Sequence, residues 1–186
     1  MLVNNQSSAF TLVDLLVAMG IFMLLASLTV ANFNQGAKQD SLRQAGWTVA
    51  SLLEEAQGYA LAGRTVNISG GLQVPSGGYG IYFDLSKNNQ LVLFPDLNAN
   101  GNFDSATETV NGWTYTLPDK VIITTLTPVS PVVSLSFRPP LGDRYINGYL
   151  NGGALGNNLQ VVLQHTGSGS TATVSVNAVS GQINVQ

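Results

Sequence analysis

The chain has 186 residues, of which 45% are hydrophobic and only 9% charged, against the roughly 25% charged residues of an ordinary soluble domain. A net charge of −3 with seven Lys and Arg excludes a broad basic surface for nucleic acid. With no Cys and one His, disulfides, thiolate zinc sites, a cysteine nucleophile and multi-histidine metal sites are excluded as well.

Residues 1–9, MLVNNQSSA, are short and polar. From Phe10 to Ala31 follows FTLVDLLVAMGIFMLLASLTVA, whose one charge is Asp14. A helix of this length reaches roughly 33 Å, enough to cross a hydrocarbon core of about 30 Å. The run is longer than the apolar region of a secretory signal. It is also too long for a core helix in a domain built from the rest of the chain. It reads as a membrane-inserted segment. An ionised carboxylate there costs about 2.5–3.5 kcal/mol. Two explanations of Asp14 stay open: it reaches the headgroups from near the helix end, or it forms a buried ion pair between subunits.

The helical pattern continues. Leu42, Ala45, Val49, Leu52, Ala56 and Tyr59 recur at alternating spacings of three and four, an amphipathic stripe that needs a globular partner from the same chain. Gly63 is the expected stop. One nearly continuous helix from about Phe10 to Ala62 is predicted, with a soft point at Gly36, near Asn32 and Asn34. The predicted organisation is therefore a leader at 1–9, a membrane helix at 10–31, an amphipathic helix at 32–63 and a β head at 64–186.

From about Gly80 the pattern becomes β-type. Gly80–Asp84 and Gln90–Phe94 flank a polar turn at 85–89. Further strands are expected at Trp113–Leu117, Val121–Leu126, Val132–Phe137, Leu159–Gln164, Thr171–Val176 and Gln182–Val185. Strands at short spacing without intervening helices predict an antiparallel sheet or small sandwich, and an α+β fold class overall.

Between two of these strands lies Asp96-Leu97-Asn98-Ala99-Asn100-Gly101-Asn102-Phe103-Asp104. Oxygen side chains fall at loop positions 1, 3, 5 and 9 with glycine at 6, a spacing like that of EF-hand and dockerin-type calcium loops. Asp96, Asn98, Asn100 and Asp104 are the side-chain candidates, with the Asn102 carbonyl between them. Position 12 is Thr107, and the acid comes one place later, at Glu108. Two readings stay open: a weak structural Ca2+ site, or a turn held by side-chain to backbone hydrogen bonds. Pro139–Asn158 is rich in Gly, Asn and Tyr. Its Tyr145 and Tyr149 either form a sticky surface or cover a sheet edge. His165 reads as a bystander, and Asn67-Ile68-Ser69 is a formal glycosylation sequon. No nucleophile elbow, phosphate loop or paired-carboxylate motif is present, so no enzymatic activity is expected.

Phe10-Thr11-Leu12-Val13-Asp14-Leu15-Leu16 after a polar leader resembles the FTLIELL signature of the type IV pilin and pseudopilin class. Thr173–Val185 more weakly resembles the final strands of GspH/FimT-type minor pseudopilins. The resemblance implies a pilin-like fold, cleavage between Ala9 and Phe10 by a prepilin peptidase, and N-methylation of Phe10. It implies that Phe10 and Asp14 carry assembly, with the Asp14 carboxylate neutralising a neighbouring subunit's N-terminal amine. The implied partners are homologous pilin subunits, an inner-membrane assembly platform and, before assembly, membrane lipid. The implied location is bacterial: a single pass of the inner membrane, then a periplasmic or extracellular filament of a pilus or type II secretion pseudopilus. Ala9 and Asp14 stand where the class has Gly and Glu, and the leader carries no Lys or Arg. The rival expectation is a single-span anchored binding module of the adhesin or lectin kind.

Overall fold

A computed structural model describes residues 11–68 and 71–186, with 31–34 by backbone alone. The leader, the expected Ala9–Phe10 cleavage pair and Ser69 of the sequon lie outside the described residues. The described chain is α+β. It divides into two compact units, with the boundary between Ala37 and Lys38. One helix of 50 residues, α1 (Leu12–Leu61), contributes to both. Gly36, the expected soft point, is helical.

In the first unit α1 is apolar all round, and no described side chain from Leu12 to Val30 is buried. Its hydroxyls bond within the helix: Ser27 Oγ donates to the Leu24 carbonyl at 2.8 Å and Thr29 Oγ1 to that of Leu25 at 2.7 Å. A segment surrounded by hydrocarbon must satisfy its polar groups in this way. By length and composition the helix can cross a membrane.

In the second unit the predicted stripe is the buried face of α1. Leu42, Ala45, Val49, Leu52 and Ala56 are buried, Tyr59 at the end of the stripe is half-buried against the core, and Leu53 and Ala60 widen it. The helix ends in a Schellman motif. Gly63 (φ +57°) donates to the Ala60 carbonyl and Arg64 to that of Tyr59. The left-handed turn residue is glycine because a Cβ disfavours that conformation.

Twelve strands follow: β1 (Val66–Ile68), β2 (Gly71–Gln73), β3 (Tyr79–Asp84), β4 (Gln90–Pro95), β5 (Thr114–Thr116), β6 (Val121–Thr127), β7 (Val132–Arg138), β8 (Asp143–Ile146), β9 (Tyr149–Leu150), β10 (Asn158–His165), β11 (Thr171–Asn177) and β12 (Ile183–Val185). All pairings are antiparallel. β1 and β2 form a hairpin, one sheet has the order β12-β11-β10-β6, and a second has β5-β4-β3-β7-β8-β9. Every predicted strand has a counterpart. The pairs β1–β2 and β8–β9 were not anticipated, and the latter turns part of the expected Pro139–Asn158 loop into a sheet edge.

A single apolar cluster joins α1 to both sheets, through Ile81, Leu93 and Phe137 on one and Val161, Leu163 and Val174 on the other. β10 alternates strictly, with Leu159, Val161, Leu163 and His165 inward. β7 does not: Val133, Ser134, Leu135, Ser136 and Phe137 are all buried. A strand buried at consecutive positions is covered on both faces. The second cover is the loop between β4 and β5.

Candidate functional site

That loop, Asp96 to Glu108, folds over the outer face of the six-stranded sheet. Phe103 anchors it, with ring centroids 4.8 Å from Tyr82 and 5.4 Å from Phe94. The Phe103 amide donates to Ser134 Oγ at 3.2 Å. Ser134 is tied in turn to Asn147, whose Oδ1 accepts the Ser134 amide at 2.8 Å.

The candidate calcium ligands occupy the start and close of this loop. Asp96 is fully buried; its Oδ1 accepts the Asn100 amide at 3.1 Å and its Oδ2 the Gly101 amide at 2.8 Å. Asn98 Oδ1 accepts the Asn100 amide, Asn100 Oδ1 the Asn102 amide, and Asp104 Oδ1 the Ala106 amide. Glu108 is also fully buried and closes the loop. Its Oε1 accepts the Leu97 amide at 2.9 Å and its Oε2 the Asp104 amide at 2.8 Å. Gly101 packs on the turn between β8 and β9, where an added Cβ would lie 2.9 Å from Gly148 Cα.

Electrostatics follow from burial. Desolvation pushes the Asp96 carboxyl above its ordinary range, and the Gly101 and Asn100 amides and the Arg138 charge pull it back. Desolvation raises Glu108 too; the Asp104 and Leu97 amides offset this, while the Asp96 charge adds to it. Arg138 is the resident cation. Its Nη2 donates to the Ala99 carbonyl at 2.6 Å and its Nη1 to Tyr145 Oη at 3.0 Å. No protein-family model, curated protein or solved structure matches this chain. The chemistry of the site therefore rests on its own geometry.

That geometry brings Asp96 and Glu108 together at the loop's base. Asp104 donates its amide to Glu108 while its carboxylate turns to Ala106. Among the described residues no three His, Asp or Glu side chains gather as a metal cluster. A hard cation would have to draw mainly on the two buried carboxylates and the Asn98 and Asn100 amide oxygens, each of which keeps lone pairs beyond the bond it accepts.

Asp14 has a local role that neither sequence explanation contained. Thr11 Oγ1 and the Thr11 amide both donate to Asp14 Oδ2, at 2.7 and 3.1 Å, and the Asp14 amide donates to Thr11 Oγ1 at 3.2 Å. This is a capping box, with Thr11 as the cap and Asp14 three residues on. Thr-x-x-Asp was visible in the sequence as its signal.

Tyr145 is half-buried in β8, with the Arg138 guanidinium 4.0 Å from its ring centroid. Tyr149 is exposed at the edge, in β9. His165 is buried, and its Nδ1 accepts the Gly167 amide at 3.1 Å. Sequence reasoning missed two arginines. Arg138 straps the loop, and Arg144 binds the Ala178 and Val179 carbonyls, tying β8 to the turn between β11 and β12.

Proposed function

We propose that this protein is a pilin-like structural subunit, anchored by the first part of α1 and able to polymerise through it. One observation carries the reading. Every large described apolar side chain from Leu12 to Val30 is at least half exposed, whereas the same helix from Leu42 to Ala60 forms the core of a β head. An exposed apolar rod of this length needs lipid or sister helices around it. The signature Phe10–Leu16, the antiparallel head and the N-terminal position of the helix support the pilin class over a plain anchor.

In this reading Asp14 serves twice. Oδ2 caps its own helix, and Oδ1 takes a neighbouring subunit's terminal amine. A buried charge is tolerated only when paired, so the amine and the carboxylate are brought together by the apolar packing. The loop stabilises the head, with Ca2+ held by Asp96, Asn98, Asn100, Asp104, Glu108 and the Asn102 carbonyl.

Mass spectrometry of protein from its native membrane, with filament pelleting, tests the proposal. Loss of residues 1–9 and a methylated Phe10 are expected. Asp14→Asn keeps an oxygen for Thr11 but loses the charge, whereas Asp14→Ala loses both. Failure of both variants to enter filaments supports the ion pair. Normal assembly of Asp14→Asn reduces Asp14 to a cap. An intact Met1 in protein never found in a filament refutes the assignment.

A further inference from the structure

We propose that the head carries a second, unrelated site: a shallow cleft on the outer face of α1 that binds a neutral saccharide. The cleft has a volume of about 410 Å³ and lies between Trp47 and Tyr115. Trp47 is 67% exposed on a helix whose opposite face is core. A water-facing indole forgoes much of the burial that makes Trp favourable in a fold, and aromatic rings with one wet edge are suited to a ligand. Gln44, Thr48, Ser51 and Glu55 supply the polar rim, and Leu52 lines it from the core side.

The rim groups are pre-set. Thr48 Oγ1 donates to the Gln44 carbonyl at 2.9 Å, so its lone pairs are left to accept. Tyr59 Oη donates to Glu55 Oε1, which fixes the carboxylate and leaves Oε2 for a ligand hydroxyl. Gln44 offers both a donor and an acceptor.

Charge and polarity select the ligand class. No described Lys or Arg lines the cleft and Glu55 stands inside it; Arg64, stacked on Tyr59 beside it, offsets the Glu55 charge from outside the lining, so the cleft is close to neutral and offers an anion no direct cation. A wholly apolar ligand would desolvate Gln44, Ser51 and Glu55 without replacing their hydrogen bonds. A pyranose meets both demands. Its C–H faces lie on Trp47 and Tyr115, and its equatorial hydroxyls reach the rim. The cleft shares no residue with the Phe10–Leu16 signature or with the Asp96–Glu108 loop.

The test uses the full chain in a detergent without a sugar headgroup, titrated with neutral tetrasaccharides of glucose, mannose and N-acetylglucosamine and read by calorimetry and ligand-observed NMR. Saturable binding of at least one, with a dissociation constant on the order of 1 mM, is expected of so open a cleft. Trp47→Ala should weaken it about tenfold or more, and Glu55→Gln about fivefold through loss of a charged acceptor. Ser51→Arg, at an exposed helix position, should block the cleft while the melting temperature stays unchanged. Three results overturn the proposal. One is absence of binding across the panel. Another is binding that survives both Trp47→Ala and Ser51→Arg. The last is equal or tighter binding of sulfated counterparts of the same tetrasaccharides, titrated in parallel. If Trp47→Ala changes oligomeric state while no saccharide binds, the face belongs to a second copy instead.

Discussion

Gly101→Ala tests whether the loop is seated on the head as described. Gly101 has φ +75°, and an alanine there meets two separate penalties. The left-handed backbone costs an L-residue about 1–2 kcal/mol. The added Cβ would also lie 2.9 Å from Gly148 Cα and 3.1 Å from Tyr145 Cβ, in a contact whose backbone side cannot rotate away. Overpacking of this kind costs about 1–3 kcal/mol, for a combined loss of about 2–5 kcal/mol. In a head of this size each kcal/mol lowers the melting temperature by about 2–4 °C. Gly112 is the internal control, because its φ is +84° but an added Cβ finds nothing within 4 Å. Gly112→Ala should therefore show the conformational penalty alone. Near-ultraviolet circular dichroism of the full chain in EDTA reads the aromatic packing of the head in both variants. Gly101→Ala should melt lower than Gly112→Ala by the overpacking difference of about 1–3 kcal/mol. Equal shifts would show that the loop is not packed against Tyr145 and Gly148, and the account of the outer layer would fail with it.

Three further outcomes are expected. Leu53→Ala removes a fully buried side chain from the helix–sheet core and should cost about 2–5 kcal/mol in chemical denaturation; a change within experimental scatter would place Leu53 outside the core. The buried carboxyls set a pH dependence. Because Asp96 and Glu108 titrate above their ordinary range in the fold, the folded state binds protons more tightly, so their contribution is greatest below that range and is lost as pH rises through the raised values. The melting temperature of the EDTA-treated wild type, minus that of Glu108→Gln, should therefore fall from acid towards neutral pH, and a difference that rises with pH contradicts the burial argument. At neutral pH, Ca2+ at about ten times its dissociation constant should add about 1.4 kcal/mol to stability. Asp96→Asn should abolish that gain, and a wild type indifferent to calcium removes the ion from the loop.

Much of this architecture was legible because it rests on periodicity. The spacing of Leu42, Ala45, Val49, Leu52 and Ala56 is a helical face whatever packs on it, and Gly63 ends the helix for a local reason. The alternation in Thr171–Val176 reads as half-buried strand from the pattern alone. The features missed are those in which distant residues supply the reason. Ser134 is polar yet buried, because Phe103 and Asn147 arrive from elsewhere in the chain to bond it. Arg138 and Arg144 look like ordinary surface charges, but their work is done by carbonyls at Ala99, Ala178 and Val179. The strands Asp143–Ile146 and Tyr149–Leu150 are short, and glycines and asparagines around them hide the pattern. The loop was legible as a spacing of oxygens. The sequence did not reveal that Glu108, one place beyond the usual twelfth position, bends back to receive the Leu97 and Asp104 amides.

The division of labour along α1 follows from magnitude. Thirteen large apolar side chains between Leu12 and Val30 are 53–78% exposed. At roughly 1.5–3 kcal/mol for each fully buried side chain, leaving them in water forgoes a free energy on the order of 20 kcal/mol. A whole domain is stable by only about 5–15 kcal/mol. Folding of the head leaves this gain untouched, because the rod is exposed whether or not the head is folded. In the proposed reading, lipid would supply the covering for a lone molecule and sister helices in a polymer. Dispersion alone barely distinguishes the two, because lipid tails are as apolar as leucine. What distinguishes them is the polar group that only one environment can satisfy. Thr11 satisfies one oxygen of Asp14, so on the proposed assembly a filament would be favoured over a bilayer through the other, where a neighbouring amine could pair with it.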